Sequence, residues 1–124
     1  MKPLQRVLYV EDDPDIQAVA IIALETVAGL TVEACSSGTE ALAKAVEFDP
    51  DLIVLDVMMP GMDGPTTLAE LRKLPALADT PVVFITAKTD AADLEHLRQL
   101  GALSVITKPF DPMRLGEQLT RAWQ

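Results

Sequence analysis

Apolar residues along this chain come in short runs broken by polar turns, and the runs differ in kind. "RVLYV" (6–10), "DLIVLD" (51–56) and "PVVFIT" (81–86) are nearly continuous, as expected of strands buried on both faces. "LSVIT" (103–107) is a further strand, and "LTVEAC" (30–35) alternates enough to be an edge strand. Between them the period changes. Ile16, Val19, Ala20, Ala23, Leu24 and Val27 recur at helical spacing from Pro14, suited to a first turn, until Gly29. Ser36 or Ser37 caps a helix carrying Ala41, Leu42, Ala45 and Val46. The turn residues Pro60, Gly61, Asp63 and Gly64 lead into a helix with Leu68, Leu71 and Leu74 on one face. Two more helices are predicted, from about Asp90 to Leu100 and from Pro112 through Leu115, Leu119 and Trp123.

Five strands alternating with five helices imply an α/β fold, a doubly wound (βα)5 parallel sheet with helices on both faces. The three most apolar strands, first, third and fourth, belong in the centre and the second at an edge, which the order 2-1-3-4-5 satisfies. In such a three-layer sandwich the functional crevice lies beyond the carboxyl ends of the strands, at the switch point between strands one and three.

Composition narrows the function. At 124 residues the chain fits a single domain, 1–124, able to bury a core without staples. A net charge of −9 opposes direct binding to nucleic acid, whose phosphates it would repel. No apolar run approaches a membrane span or a secretory signal, so no membrane insertion and a cytoplasmic location are expected. Cys35 has no second cysteine to pair with and reads as a small strand residue.

The strand ends carry the chemistry. Strand one ends in Glu11 and Asp12, strand three in Asp56, strand four in Thr86, strand five in Thr107 and Lys108, all on one rim of the sheet. Crowded carboxylates repel, and a proton or a hard divalent cation relieves them; Mg²⁺ suits one or two carboxylates, perhaps a backbone carbonyl, and several waters. A carboxylate nucleophile, a metal, a lysine and a hydroxyl are the parts needed to handle a phosphoryl group.

Taken in order, Glu11-Asp12, "LIVLDVMMPGMDG", "FITA" with Thr86 and "TKPF" with Lys108-Pro109 give the whole chain a resemblance. It resembles a response-regulator receiver domain of bacterial two-component signalling, of the single-domain, chemotaxis-regulator-like kind with a flavodoxin-like sandwich. The resemblance implies that Asp56 is the phosphoacceptor. It implies Mg²⁺ or Mn²⁺ held by Asp12, Asp56 and the Met58 carbonyl, with Glu11 acting through metal-bound water. Lys108 would contact the phosphoryl group, Thr86 would hydrogen-bond it, and the Ala87 N–H would contribute. The Lys108-Pro109 bond is expected to be cis, and Asp13 to be a helix N-terminal residue rather than a ligand. The implied partners are a sensor histidine kinase or histidine phosphotransfer protein, and a downstream protein reading the face formed by helix four, strand five and helix five. The chain would catalyse only its own phosphorylation and dephosphorylation.

Each motif alone has an ordinary reading: "EDD" as a helix cap, "KP" as a turn, Thr86 as a strand end. Their joint placement on one rim outweighs those readings. His96, without partner ligands, reads as a solvated helix residue. An electron carrier of the same architecture would need a phosphate-binding loop where "EDDPD" would repel phosphate. An aspartyl phosphatase would want a second acid two residues beyond its nucleophile, where Met58 stands. Because the chain ends with helix five, it is expected to lack an effector domain and to act as a switch, a phosphorelay intermediate or a phosphate sink. One departure from the family pattern stands out: Val105 occupies a position where many receivers carry Tyr or Phe.

Overall fold

The computed structural model describes residues 2–124. Five parallel strands, β1 (Arg6–Val10), β2 (Thr31–Cys35), β3 (Leu52–Asp56), β4 (Val82–Thr86) and β5 (Ser104–Thr107), form one sheet in the order β2-β1-β3-β4-β5. Five α-helices connect and cover them: α1 (Pro14–Ile21), α2 (Gly38–Phe48), α3 (Gly64–Arg72), α4 (Ala91–Gln99) and α5 (Leu115–Trp123). The register pairs Val10 with Cys35 and with Leu55, and Asp56 with Ile85, so β1, β3 and β4 end level with one another.

Strand alternation divides the core in two. Val7, Tyr9, Leu52, Val54, Val83 and Ile85 face α1 and α5, where Ala20, Leu24, Leu115 and Leu119 cover them. Leu8, Val10, Ile53, Leu55, Val82 and Phe84 face α2, α3 and α4, against Ala41, Ala45, Leu68, Leu71 and Leu97. Every residue of β3 and β4 is buried, which is why those two strands read as unbroken apolar runs.

The helix starts follow the capping chemistry. Asp13 accepts from the Asp15 and Ile16 amides and so caps α1, with Pro14 in the first turn. Ser37, rather than Ser36, caps α2 through the Glu40 amide. Three boundaries depart from the sequence reading. The single long first helix is α1 followed by a π-helical stretch, Ile22–Val27, beyond which Ala28 packs so closely on Gly116 of α5 that a β-carbon there would clash. Leu74 lies beyond α3, extended at φ −85°, ψ 118°, because the following Pro75 disfavours the helical conformation; it still packs half-buried on the α2–α4 side. The last helix begins at Leu115 rather than Pro112, because the Asp111 carboxylate binds the Met113 amide and holds 112–114 in a turn.

At the opposite end of the sheet from the strand carboxyl ends, Asp51 gathers the amino-terminal segment. Its carboxylate accepts from the Gln5 and Arg6 amides at 3.0 and 2.9 Å and pairs with Lys2 at 2.8 Å. Burial alone would raise the Asp51 pKa, but the Lys2 ammonium and the two amides outweigh it and hold it below the ordinary value. Arg6 stacks 4.2 Å over the Phe48 ring while donating to the Phe48 carbonyl. No helix of the described residues is long and apolar enough to cross a membrane.

Candidate functional site

Asp56 follows four fully buried aliphatic residues at the end of β3, and the backbone around it is fixed tightly. The chain turns through 57–63 and returns so that the Gly64 amide donates to the Val57 carbonyl at 2.9 Å. A β-carbon on Gly64 would sit 2.5 Å from the Asp56 carbonyl oxygen, so only glycine lets α3 start this close to the strand end. Asp63 caps α3 through the Thr66 amide.

Glu11 is fixed in a similar way from the β1 side. Its amide donates to the Cys35 carbonyl at 2.9 Å, and the Gln17 side chain of α1 donates to the Glu11 and Cys35 carbonyls at 3.0 and 3.1 Å. Cys35 itself is buried, with its thiol pushed up to about 12 by desolvation first and then by the Glu40 charge. It belongs to the packing rather than to the site.

Glu11, Asp12 and Asp56 each present a carboxylate oxygen within 4.8 Å of the other two. Glu11 is 1% and Asp56 4% exposed, whereas Asp12 is partly open to solvent. Lys108, just past β5, closes the group: its ammonium lies 2.7 Å from Glu11 Oε1 and 3.0 Å from Asp56 Oδ1. The contact to Glu11 is an attraction between charges, because Oε1 receives no well-aligned hydrogen bond. The Lys108 amide donates to the Thr86 carbonyl at 2.7 Å, tying the lysine to the end of β4, and Lys108-Pro109 is cis.

The titration behaviour follows from this crowding. Burial raises the Glu11 pKa; Lys108 pulls it back, Asp56 pushes it up again, and the net shift is upward. For Lys108 burial acts against the charged form, but its close ionic contacts with Glu11 and Asp56 prevail and raise its pKa. Tyr9, two residues before Glu11, also shifts upward, mainly by burial and then through the charges of Glu11 and Asp56.

The donor set suits a hard cation. Three carboxylates present oxygens within 4.8 Å of one another and face a single ammonium, which reaches only Glu11 and Asp56, so oxygen-ligating charge is in surplus. Glu11, Asp12 and Asp56 are therefore the residues able to hold Mg²⁺ or Mn²⁺.

Of the residues singled out by sequence, Glu11, Asp12, Asp56 and Lys108 are brought into contact. Thr86 is buried at the same rim, but alternation sets it with Phe84 on the face opposite Ile85, and its hydroxyl accepts from the Lys88 amide at 3.0 Å. Ala87 and Met58 are exposed beside the site, Met58 to 60%. His96 is exposed on α4, away from these groups in the chain order and without a metal-ligating cluster. Sequence reasoning missed Gln17, whose only signal is a polar residue one turn into a helix that otherwise turns apolar groups to the sheet, and the close approach of Gly64.

Known proteins resemble the chain along nearly its whole length. The model of the response regulator receiver domain family matches residues 7–120. The probable C4-dicarboxylate response regulator DctR of Halalkalibacterium halodurans is 36% identical over 121 residues, covering 97% of this chain and 52% of that protein. The DNA-binding response regulator MtrA of Mycolicibacterium smegmatis is 38% identical over 111 residues, covering 90% of this chain and 47% of the relative. The chain thus spans about half the length of the curated relatives it matches. Among solved structures, the chemotaxis protein CheY4 of Vibrio cholerae superimposes with a TM-score of 0.88 at 33% identity, covering 96% of this chain and 98% of that one. A strand order of 2-1-3-4-5 with an acidic rim faced by a lysine, and matches of this extent, lead to one assignment: the chain belongs to the response regulator receiver domain family.

Proposed function

We propose that this receiver is a phospho-accepting switch in which Asp56 takes up a phosphoryl group in a Mg²⁺-dependent step, and that the modified form binds a protein partner differently. The observation that carries the reading is the contact of one buried carboxylate, Asp56, with both a lysine ammonium and two further acids at a strand end.

An Asp56 carboxylate oxygen attacks the phosphorus of a phosphohistidine or small acyl phosphate. The O–P bond to Asp56 forms as the bond to the donor breaks; a phosphohistidine nitrogen takes up a proton from solvent as it leaves, whereas an acyl phosphate releases its carboxylate. Lys108 holds a positive charge against the oxygens as charge builds on them. Glu11 and Asp12, with Asp56 and the Met58 carbonyl, would hold the cation; when bound, it neutralises the charge that three carboxylates and a phosphoryl group bring together. Thr86 gives up its bond to the Lys88 amide and turns its hydroxyl to the new group, and the Ala87 N–H adds a donor. That movement of the β4–α4 loop carries the signal to the surface of α4, β5 and α5.

The donor is read as a sensor histidine kinase or histidine phosphotransfer protein in a cytoplasmic pathway. Chemistry is confined to the chain's own aspartate, so turnover of external phosphate esters is not expected. Whether a downstream protein or a second phosphotransfer step receives the signal follows from the partner.

Acetyl phosphate with Mg²⁺ should add one phosphoryl group, read by intact mass, and chelation of the metal should abolish the addition. Undiminished labelling of Asp56→Asn would overturn the assignment of Asp56.

A further inference from the structure

The Glu11 carbonyl lies one step past the hydrogen-bond ladder of the sheet. Rungs of a parallel pair are evenly spaced along the strands, and between β1 and β2 the last is the Glu11 amide donating to the Cys35 carbonyl at 2.9 Å. The next would run from the amide of residue 37 to the Glu11 carbonyl. It does not form, because the chain has left the sheet there and Ser37 caps α2.

The Gln17 side chain takes the place of that rung. Its amide nitrogen donates to the Glu11 carbonyl at 3.0 Å and to the Cys35 carbonyl at 3.1 Å, with Ser36 Oγ at 3.5 Å. A primary amide carries two hydrogens on one nitrogen, so a single group serves both carbonyls. Gln17 is itself fixed by α1, where its backbone amide donates to the Asp13 carbonyl at 2.9 Å.

The carbonyl so held belongs to the peptide that joins the two acids. A peptide unit is planar, so fixing its carbonyl sets the direction in which the chain leaves it at both Glu11 and Asp12. Glu11 has further support, from Lys108 at 2.7 Å and from the Asp13 amide, which donates to Oε2 at 3.3 Å. Asp12 has no such partner among the described residues: Lys108 reaches Glu11 and Asp56 only, and Asp12 is partly open to solvent. Its carboxylate comes within 4.8 Å of the other two because the backbone aims it there. Groups that orient a ligand from outside tune a metal site almost as strongly as the ligand itself.

We propose that Gln17 is a positioning residue of the acidic site, its side-chain amide holding the Glu11–Asp12 peptide against the end of β2 and so aiming the Asp12 carboxylate at the cation shared with Asp56. The cation part rests on the ligand reading given above; the clamp on the two carbonyls does not.

Two measurements on the full chain separate the parts. In metal-free wild type, the side-chain amide protons of Gln17 should exchange with solvent far more slowly than those of the exposed Gln99, as read by NMR. By isothermal titration calorimetry, Gln17→Met, similar in length but without donors, and Gln17→Asn, an amide one methylene too short to span both carbonyls, should each bind Mg²⁺ about 10-fold more weakly than wild type. Asp51→Ala, which loosens the opposite end of the sheet, should keep wild-type affinity and so tells general destabilisation from loss of aim. Gln17 protons exchanging as fast as those of Gln99 would overturn the clamp. Unchanged Mg²⁺ affinity in either Gln17 variant, or an equal loss in Asp51→Ala, would overturn the positioning role. Failure of wild type itself to bind Mg²⁺ would overturn the ligand reading and the cation part with it, and the metal-free exchange would still decide the clamp.

Discussion

Replacing Lys108 with Met keeps most of the side-chain volume and removes the one ammonium shared by Glu11 and Asp56. At 2.7 and 3.0 Å and an effective dielectric of about 20, the two contacts are worth roughly 6 kcal/mol each before desolvation is counted. Three carboxylate pairs no more than 4.8 Å apart repel by at least about 3 kcal/mol each on the same scale, so attraction and repulsion nearly cancel in the metal-free protein. Without the ammonium the repulsion is relieved most cheaply by protonating Glu11, already the acid whose pKa burial has raised. Holding that proton against an ordinary value of 4.5 costs about 3 kcal/mol at pH 7 and under about 1 kcal/mol at pH 5, which sets the pH-dependent part of the loss. The sign follows. A raised Glu11 pKa favours folding below the ordinary value, and that advantage is lost as pH rises through the folded value, more steeply in the variant. Lys108→Met in chelator should therefore be less stable than wild type, with a loss about 2–3 kcal/mol larger at pH 7 than at pH 5. Saturating Mg²⁺ should stabilise the variant at least as much as wild type, about 2.7 kcal/mol at 100 times the dissociation constant. Urea melts at both pH values, with chelator and with Mg²⁺, read all four quantities. A variant as stable as wild type at pH 7 without metal, or a loss independent of pH, would refute the reasoning.

Other expectations follow from single groups. Asp51→Ala removes the acceptor of two backbone amides and should cost about 2–3 kcal/mol by urea melt at neutral pH. Since the Asp51 pKa is depressed, its contribution is present above the ordinary 3.8 and fades as pH falls through the folded value, so wild type and variant should converge in acid. Met58 and Lys88 are exposed two residues beyond Asp56 and Thr86, so Met58→Asn with Lys88→Glu should change the decay rate of the labelled protein while labelling stoichiometry stays near one; an unchanged rate would contradict this. Val105, half-buried beside Phe84, has no ring to swing, so beryllofluoride should shift amide resonances strongly over residues 86–90 and weakly around Val105. A rearrangement centred on β5 and abolished by Val105→Ala would count against that expectation.

The architecture was legible because strand burial and capping are local properties. Unbroken aliphatic runs in β3 and β4 are what burial on both faces demands, and Asp13, Ser37 and Asp63 sit where their side chains can reach the next free amides. The boundaries that slipped depend on neighbours in space or on competing local bonds: Asp111 stalls α5 at Leu115, and Pro75 releases Leu74 from α3. In the site, strand ends sufficed to bring Glu11, Asp12, Asp56 and Lys108 to one rim. The ammonium between two particular carboxylates, the Gln17 clamp on two strand carbonyls and the Asp51 anchor of the amino-terminal segment were not legible. Each joins residues through side-chain geometry that no periodicity encodes.

The central claim is that Asp56, and not one of the acids beside it, carries the phosphoryl group. Borohydride reduction of the acetyl phosphate-treated protein converts an acyl phosphate to the corresponding alcohol, and peptide mass spectrometry locates it. The account predicts homoserine at position 56 alone, formed with Mg²⁺ and absent after chelation. Reduction product at position 11 or 12, or none in a folded protein that binds Mg²⁺, would contradict it.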